Sequence, residues 1–108
     1  MAIPGALGAS LVDYTTGFAV ATSGAAPDSD HEAAAAGTAG VVRAASAVPH
    51  DLLEDLIITT AGGYHLLRLV RTDFDSRLVL YVWLDRELGN LAVARRRMQS
   101  LAAELVAT

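Results

Sequence analysis

The stretch from Arg77 to Asp85 restricts the fold of this chain more than any other. Read as a strand, it points Leu78, Leu80, Val82 and Leu84 one way and Val79, Tyr81 and Trp83 the other. A strand with one wet face alternates apolar with polar. One that is apolar on both faces belongs in the middle of a sheet, with a packed layer on each side. Two more strand-like segments precede it, Asp55 to Thr60 and Tyr64 to Arg71, separated by the turns Ala61-Gly62-Gly63 and Thr72-Asp73-Phe74-Asp75-Ser76. Turns this short join antiparallel neighbours, so the run is a meander and not a doubly wound parallel sheet.

The rest of the chain supplies the covering layers. Residues 6–13 and 18–22 read as a hairpin closed by Tyr14-Thr15-Thr16-Gly17. Ser29-Asp30-His31-Glu32 matches a capping box and predicts a helix from Asp30 to about Val48, stopped by Pro49. A second helix runs from Asn90, a plausible cap, to Val106, with Leu91, Ala94, Met98, Leu101, Ala102 and Leu105 as its buried stripe. The order β-β-α-β-β-β-α makes one α+β domain over residues 1–108, without internal repeats.

Bulk properties exclude several function classes. With 53% hydrophobic and 19% charged residues over 108 positions, the chain has material for one core and is no disordered segment. No uninterrupted apolar run approaches the roughly 18 residues that a membrane span needs. A net charge of −4 speaks against nucleic-acid binding driven by charge. With no cysteine there is no disulfide and no thiolate chemistry, and the first residues carry no basic leader, so a cytoplasmic location is expected.

Catalytic patterns are missing. Gly5-Ala6-Leu7-Gly8 has the wrong spacing for a dinucleotide fingerprint and precedes a strand; a Walker lysine is impossible because all eight basic residues are arginine. His31, His50 and His65 have no partners at metal-ligand spacing, and His65 reads as a surface or sheet-edge residue. Asp28 with Asp30, and Asp73 with Asp75, lack the glycine and distal glutamate of a calcium loop and read as cap and turn acids. Ser46, His50 and Asp51 have no accompanying oxyanion hole. Arg95-Arg96-Arg97 fan over an exposed helix surface, either as a solvated face or as an anchor for an acidic protein patch. The expectation is a protein that is not an enzyme and uses no cofactor or metal.

The first helix is the better functional clue. Ala33, Gly37, Gly40, Ala44 and Ala47 share one face, and Ala34, Val41, Ala45 and Val48 a neighbouring one. Small residues permit close approach, either to the chain's own sheet or to a second copy. A helix apolar on two sides has more than one surface to cover, and the strand Asp55 to Thr60 would offer an edge for the same association.

Ile3-Pro4-Gly5-Ala6-Leu7-Gly8-Ala9-Ser10-Leu11-Val12-Asp13, then Gly17-Phe18-Ala19-Val20-Ala21, resembles the opening hairpin of the roadblock/dynein light-chain domain family. Asn90 to Arg95, continuing to Leu101-Ala102-Ala103-Glu104-Leu105, resembles its closing helix. The resemblance spans nearly the whole chain on soft hydrophobic patterns. It implies a profilin-like fold, a five-stranded antiparallel sheet between helices. It also implies a homodimer in which the middle helices pack together and the third strands join edge to edge. Carried onto this chain, that interface is Ala34, Gly37, Val41, Ala44, Ala45 and Val48 with Leu56, Ile57, Ile58 and Thr59. The implied function is a regulator or scaffold for a Ras-like small GTPase, in bacteria one of the mutual-gliding type. A small-ligand sensor or a general interaction module is the alternative. The alanine-rich, lysine-free composition is that of a GC-rich genome such as an actinobacterial one. The family carries a helix ahead of the opening strand, where this sequence has only Met1-Ala2 before Ile3. Either that helix is absent or the true start lies further upstream; if it is absent, the last helix alone covers one sheet face and leaves Leu7 and Leu11 or their neighbours open.

Overall fold

The computed structural model describes residues 3–48, 52–71 and 77–107. Its elements are β1 (Ala6–Asp13), β2 (Phe18–Gly24), α1 (His31–Ala45), β3 (Asp55–Thr60), β4 (Gly63–Val70), β5 (Leu78–Leu84) and α2 (Leu91–Ala107). The strands form one antiparallel sheet in the order β2-β1-β5-β4-β3. β5 is therefore central, as its two apolar faces require. Leu80, Val82 and Leu84 pack with Leu66, Val70, Ala94, Met98 and Ala102 under α2. Val79 and Tyr81 pack with Val12, Ala35, Val42, Leu67 and Leu69 under α1. The helices are offset: α1 lies over β1 and β2, whereas α2 lies over β4.

Local chemistry sets the element ends. In the β1–β2 turn the Asp13 carboxylate accepts from the Thr15 amide (2.9 Å), the Thr15 hydroxyl (2.7 Å) and the Thr16 amide (3.3 Å), and Gly17 takes a φ of 80°. Gly8 answers a steric demand: a Cβ there would lie 1.6 Å from the Ala25 carbonyl oxygen. Asn90 caps α2, its side chain accepting from the Val93 amide at 3.1 Å.

The start of α1 differs from the capping-box expectation. The cap is Asp30, whose carboxylate accepts from the Ala33 amide at 3.0 Å. Ser29 instead sits in the short 3-10 turn Pro27–Ser29 with a left-handed φ of 58°. A cap residue has extended backbone, and here that residue is Asp30 (φ −134°, ψ 95°). The helix also ends earlier than expected, at Ala45 and not Val48. The Ser46 hydroxyl and amide both bond the Val42 carbonyl (2.7 and 2.9 Å), and the chain then tightens, Ala47 bonding Ala44 and Val48 bonding Ala45. The expected stop at Pro49, the turn Thr72 to Ser76, and the readings of His50, Asp51, Asp73 and Asp75 lie outside the described residues.

Two edges bound the sheet, β2 and β3. β2 carries no charged residue and exposes Phe18 (66%) and Val20 (60%). No helix among the described residues is long and apolar enough to cross a membrane.

Candidate functional site

The inner face of α1 is Ala35, Thr38, Ala39 and Val42, all buried against the sheet. Its outward side is therefore the small-residue face: Ala33, Ala36, Gly37 and Ala44 are exposed, and Val41 is 38% exposed. A Cβ added at Gly37 or at Gly40 would meet nothing within 4 Å. Each interior helical glycine costs about 1 kcal/mol against alanine. Among the described residues, no neighbour requires a glycine at either position.

Because α1 sits over β1 and β2, the sheet beside it is left uncovered on the same face. A groove of about 270 Å³ opens there between Ala34, Gly37 and Val41 of α1 and Ile58 of β3. Those four members of the expected interface share one site. The others are spread around it. Leu56 packs onto the α1-side core, while Ile57, on the opposite face of β3, is 43% exposed and lines a crevice with Arg95 and Met98. Thr59 shares the parity of Ile57 and is exposed. Ala45 is half-buried at the helix end, and Val48 lies beyond it, 81% exposed. Leu56, Ile57, Ile58 and Thr59 all belong to an edge strand that, among the described residues, pairs with β4 alone.

The groove also holds polar groups that the sequence reading missed. His65 is half-buried on β4, one strand in from the edge, and is not the surface or edge residue expected. Its Nδ1 lies 2.7 Å from the Tyr81 hydroxyl and its Nε2 3.4 Å from the Thr60 hydroxyl. The His65 and Tyr81 rings stack with centroids 5.9 Å apart. Burial lowers the His65 pKa below the ordinary imidazole value and pushes the Tyr81 phenol up to about 12. The available signal was parity: His65 shares a face with Leu67 and Leu69, which are core residues.

Arg95 is held in an ion pair across two elements. Its guanidinium donates to the Asp55 carboxylate at 2.6 Å, tying α2 to the start of β3, and Arg68 lies 3.7 Å from the same carboxylate. This pairing keeps the Arg95 pKa above its usual value. It also removes Arg95 from the cations available to an outside acidic patch.

A second groove, of about 420 Å³, opens on the other sheet face. There α2 covers β4 and leaves β1 and β2 bare, and Ala9, Leu11, Ala21, Leu101 and Leu105 line the gap. Leu7 is 36% exposed, Leu11 is half-buried at the groove wall, and Leu105, expected in the buried stripe, is 38% exposed. The cause is the offset of α2 toward β4. Among the described residues no group of three or more histidine, aspartate or glutamate side chains is placed to hold a metal ion.

No family model matches the chain, and no curated protein does. Solved structures do. The fold is similar to that of Myxococcus xanthus MglB, with a TM-score of 0.79 and 25% identity over 94% of this chain and 75% of that one. It is also similar to a roadblock/LC7 domain from Streptomyces avermitilis, with a TM-score of 0.77 and 20% identity over 96% of this chain and 85% of that one.

Proposed function

We propose that this chain, a member of the roadblock/LC7 family with its profilin-like α+β fold, works as a non-enzymatic homodimeric regulator or scaffold for a Ras-like small GTPase of the mutual-gliding type. The observation that carries the reading is the pair Gly37 and Gly40, which open the outer face of α1 to close approach: among the described residues, a Cβ at either would meet nothing within 4 Å. A second copy of α1 supplies that contact, and the unpaired edge of β3 lies beside it to extend the association. Ala34, Gly37, Val41, Ala44, Ala45 and Val48 form the helical half of the interface, and Leu56 to Thr59 the strand half. The GTPase docks on the assembled dimer, in keeping with what the sequence resemblance implies, in the cytoplasm.

Gly37→Leu and Ala44→Leu place bulk on the outward side of α1 without touching the core. Each is expected to weaken self-association at least tenfold by light scattering while leaving the far-UV spectrum unchanged. A dimer of undiminished affinity in both variants sinks the interface. For the partner, the chain is mixed with small GTPases encoded near it. Co-elution, or a changed rate of GTP hydrolysis, is the expected result; neither with any of them counts against the reading.

A further inference from the structure

His65 faces the α1 side of the sheet, in the groove where Gly37, Val41 and Ile58 of the proposed interface meet. Both its ring nitrogens meet hydroxyls, of Tyr81 and Thr60. The Thr60 hydroxyl donates to the Gly63 carbonyl at 3.2 Å and so accepts from Nε2–H, while the Tyr81 hydroxyl donates to Nδ1, which accommodates the neutral ring. On β3 the neighbours are Ile58 and Thr60, on β5 Tyr81 and Trp83. The wall contributed by α1 includes Thr38 and Val41. None of these carries charge. The ionised group tied to this end of β3 is Arg86, a cation whose guanidinium donates to the Thr60 carbonyl at 2.8 Å. Among the described residues the lining of the groove contains no carboxylate; the acid adjoining it in sequence is Asp28, after the lining Pro27, and it is exposed.

We infer that His65 is a pH switch on self-association: two chains close over the groove while the ring is neutral, and a proton on it separates them. This rests on the dimer interface proposed above. In the single chain the open groove still lets water reach the ring, although burial already disfavours its charged form. A second chain laid across Gly37, Val41 and Ile58 removes that water and adds no anion from those residues. The dimer then binds fewer protons than two separate chains. The sign follows from linkage: the dissociation constant is flat above the titration of His65 in the single chain, which burial already sets below the ordinary imidazole range, and rises as pH falls through it. With one His65 per chain, the limiting slope is about a hundredfold per pH unit.

Sedimentation of the full chain between about pH 8 and pH 5.5 tests this, with His65→Gln as the variant that keeps hydrogen-bonding capacity without a titratable ring. The dissociation constant of the wild type is expected to rise severalfold over that range, and that of His65→Gln to stay level. Ring-proton NMR of the wild type gives a readout that needs no variant: the His65 titration midpoint should lie lower at high protein concentration, where the dimer dominates, than at low. A wild-type dimer of constant affinity, a slope that persists in His65→Gln, or equal midpoints would each overturn the switch and leave the interface standing. A chain that stays monomeric at every pH overturns the interface and the switch together.

Discussion

Two glycines in this chain exist for opposite reasons. Gly8 has the Ala25 carbonyl oxygen where a side chain would begin, so Gly8→Ala must push the two backbone segments apart. Gly37 has open space there and ordinary helical backbone. Gly8→Ala is expected to lose about 1–3 kcal/mol of folding stability. Gly37→Ala should gain about 0.5–1 kcal/mol in the monomer and weaken the dimer. Urea unfolding at low protein concentration, paired with sedimentation, separates the two effects. Tyr81 makes a third residue-scale case. Unfolded, its phenol ionises near 10.0; folded, burial delays this to about 12. Below pH 10 both states are protonated and the difference is silent. Between those values the unfolded chain alone loses the proton, so stability falls as pH rises, by at most about 1.4 kcal/mol per unit. Tyr81→Phe should flatten that alkaline limb, read by denaturant midpoints at stepped pH.

Among the elements, α1 shows what a sequence pattern can and cannot specify. Ser29 and Asp30 are both good capping residues, and the match of Ser29 with Glu32 favoured the serine. The backbone decides otherwise, because Ser29 takes a left-handed φ and only Asp30 is extended. Asp30→Ala is therefore expected to cost about 1 kcal/mol and Ser29→Ala close to nothing, a difference that thermal unfolding resolves. The hairpin, the meander and α2 were legible because period and turn chemistry are local: β1 and β3 begin and end where alternation and flanking turn residues put them. The central position of β5 was legible from its two apolar faces. What could not be read was lateral. Alternation says which side of a sheet a residue faces, not how many strands lie between it and the edge, and so His65 was misplaced by one strand. Nor does a helical stripe say which strands it will cover. The offset of α1 and α2 toward opposite halves of the sheet, and with it both grooves, comes from packing across the whole domain. Arg95 follows the same rule, since its partner Asp55 is forty residues away along the chain.

Taken together, the described residues form a three-layer sandwich in which each helix covers about half of its sheet face. In the dimer proposed above, joining two copies through α1 and β3 would resolve one of the two bare halves and consume one of the two edges. The other edge, β2, stays at each far end of the joined sheet. It has no lysine, glutamate or proline to discourage pairing, and it presents Phe18 and Val20 to solvent. A unit that is closed at its centre and adhesive at both ends is a bifunctional monomer in the polymer chemist's sense: nothing in its symmetry tells growth to stop. At millimolar concentration it should string into linear chains whose length rises with protein concentration, and small-angle scattering should report rods. Val20→Lys, which sets a charge on that edge and leaves α1 and β3 untouched, should cap growth at the dimer.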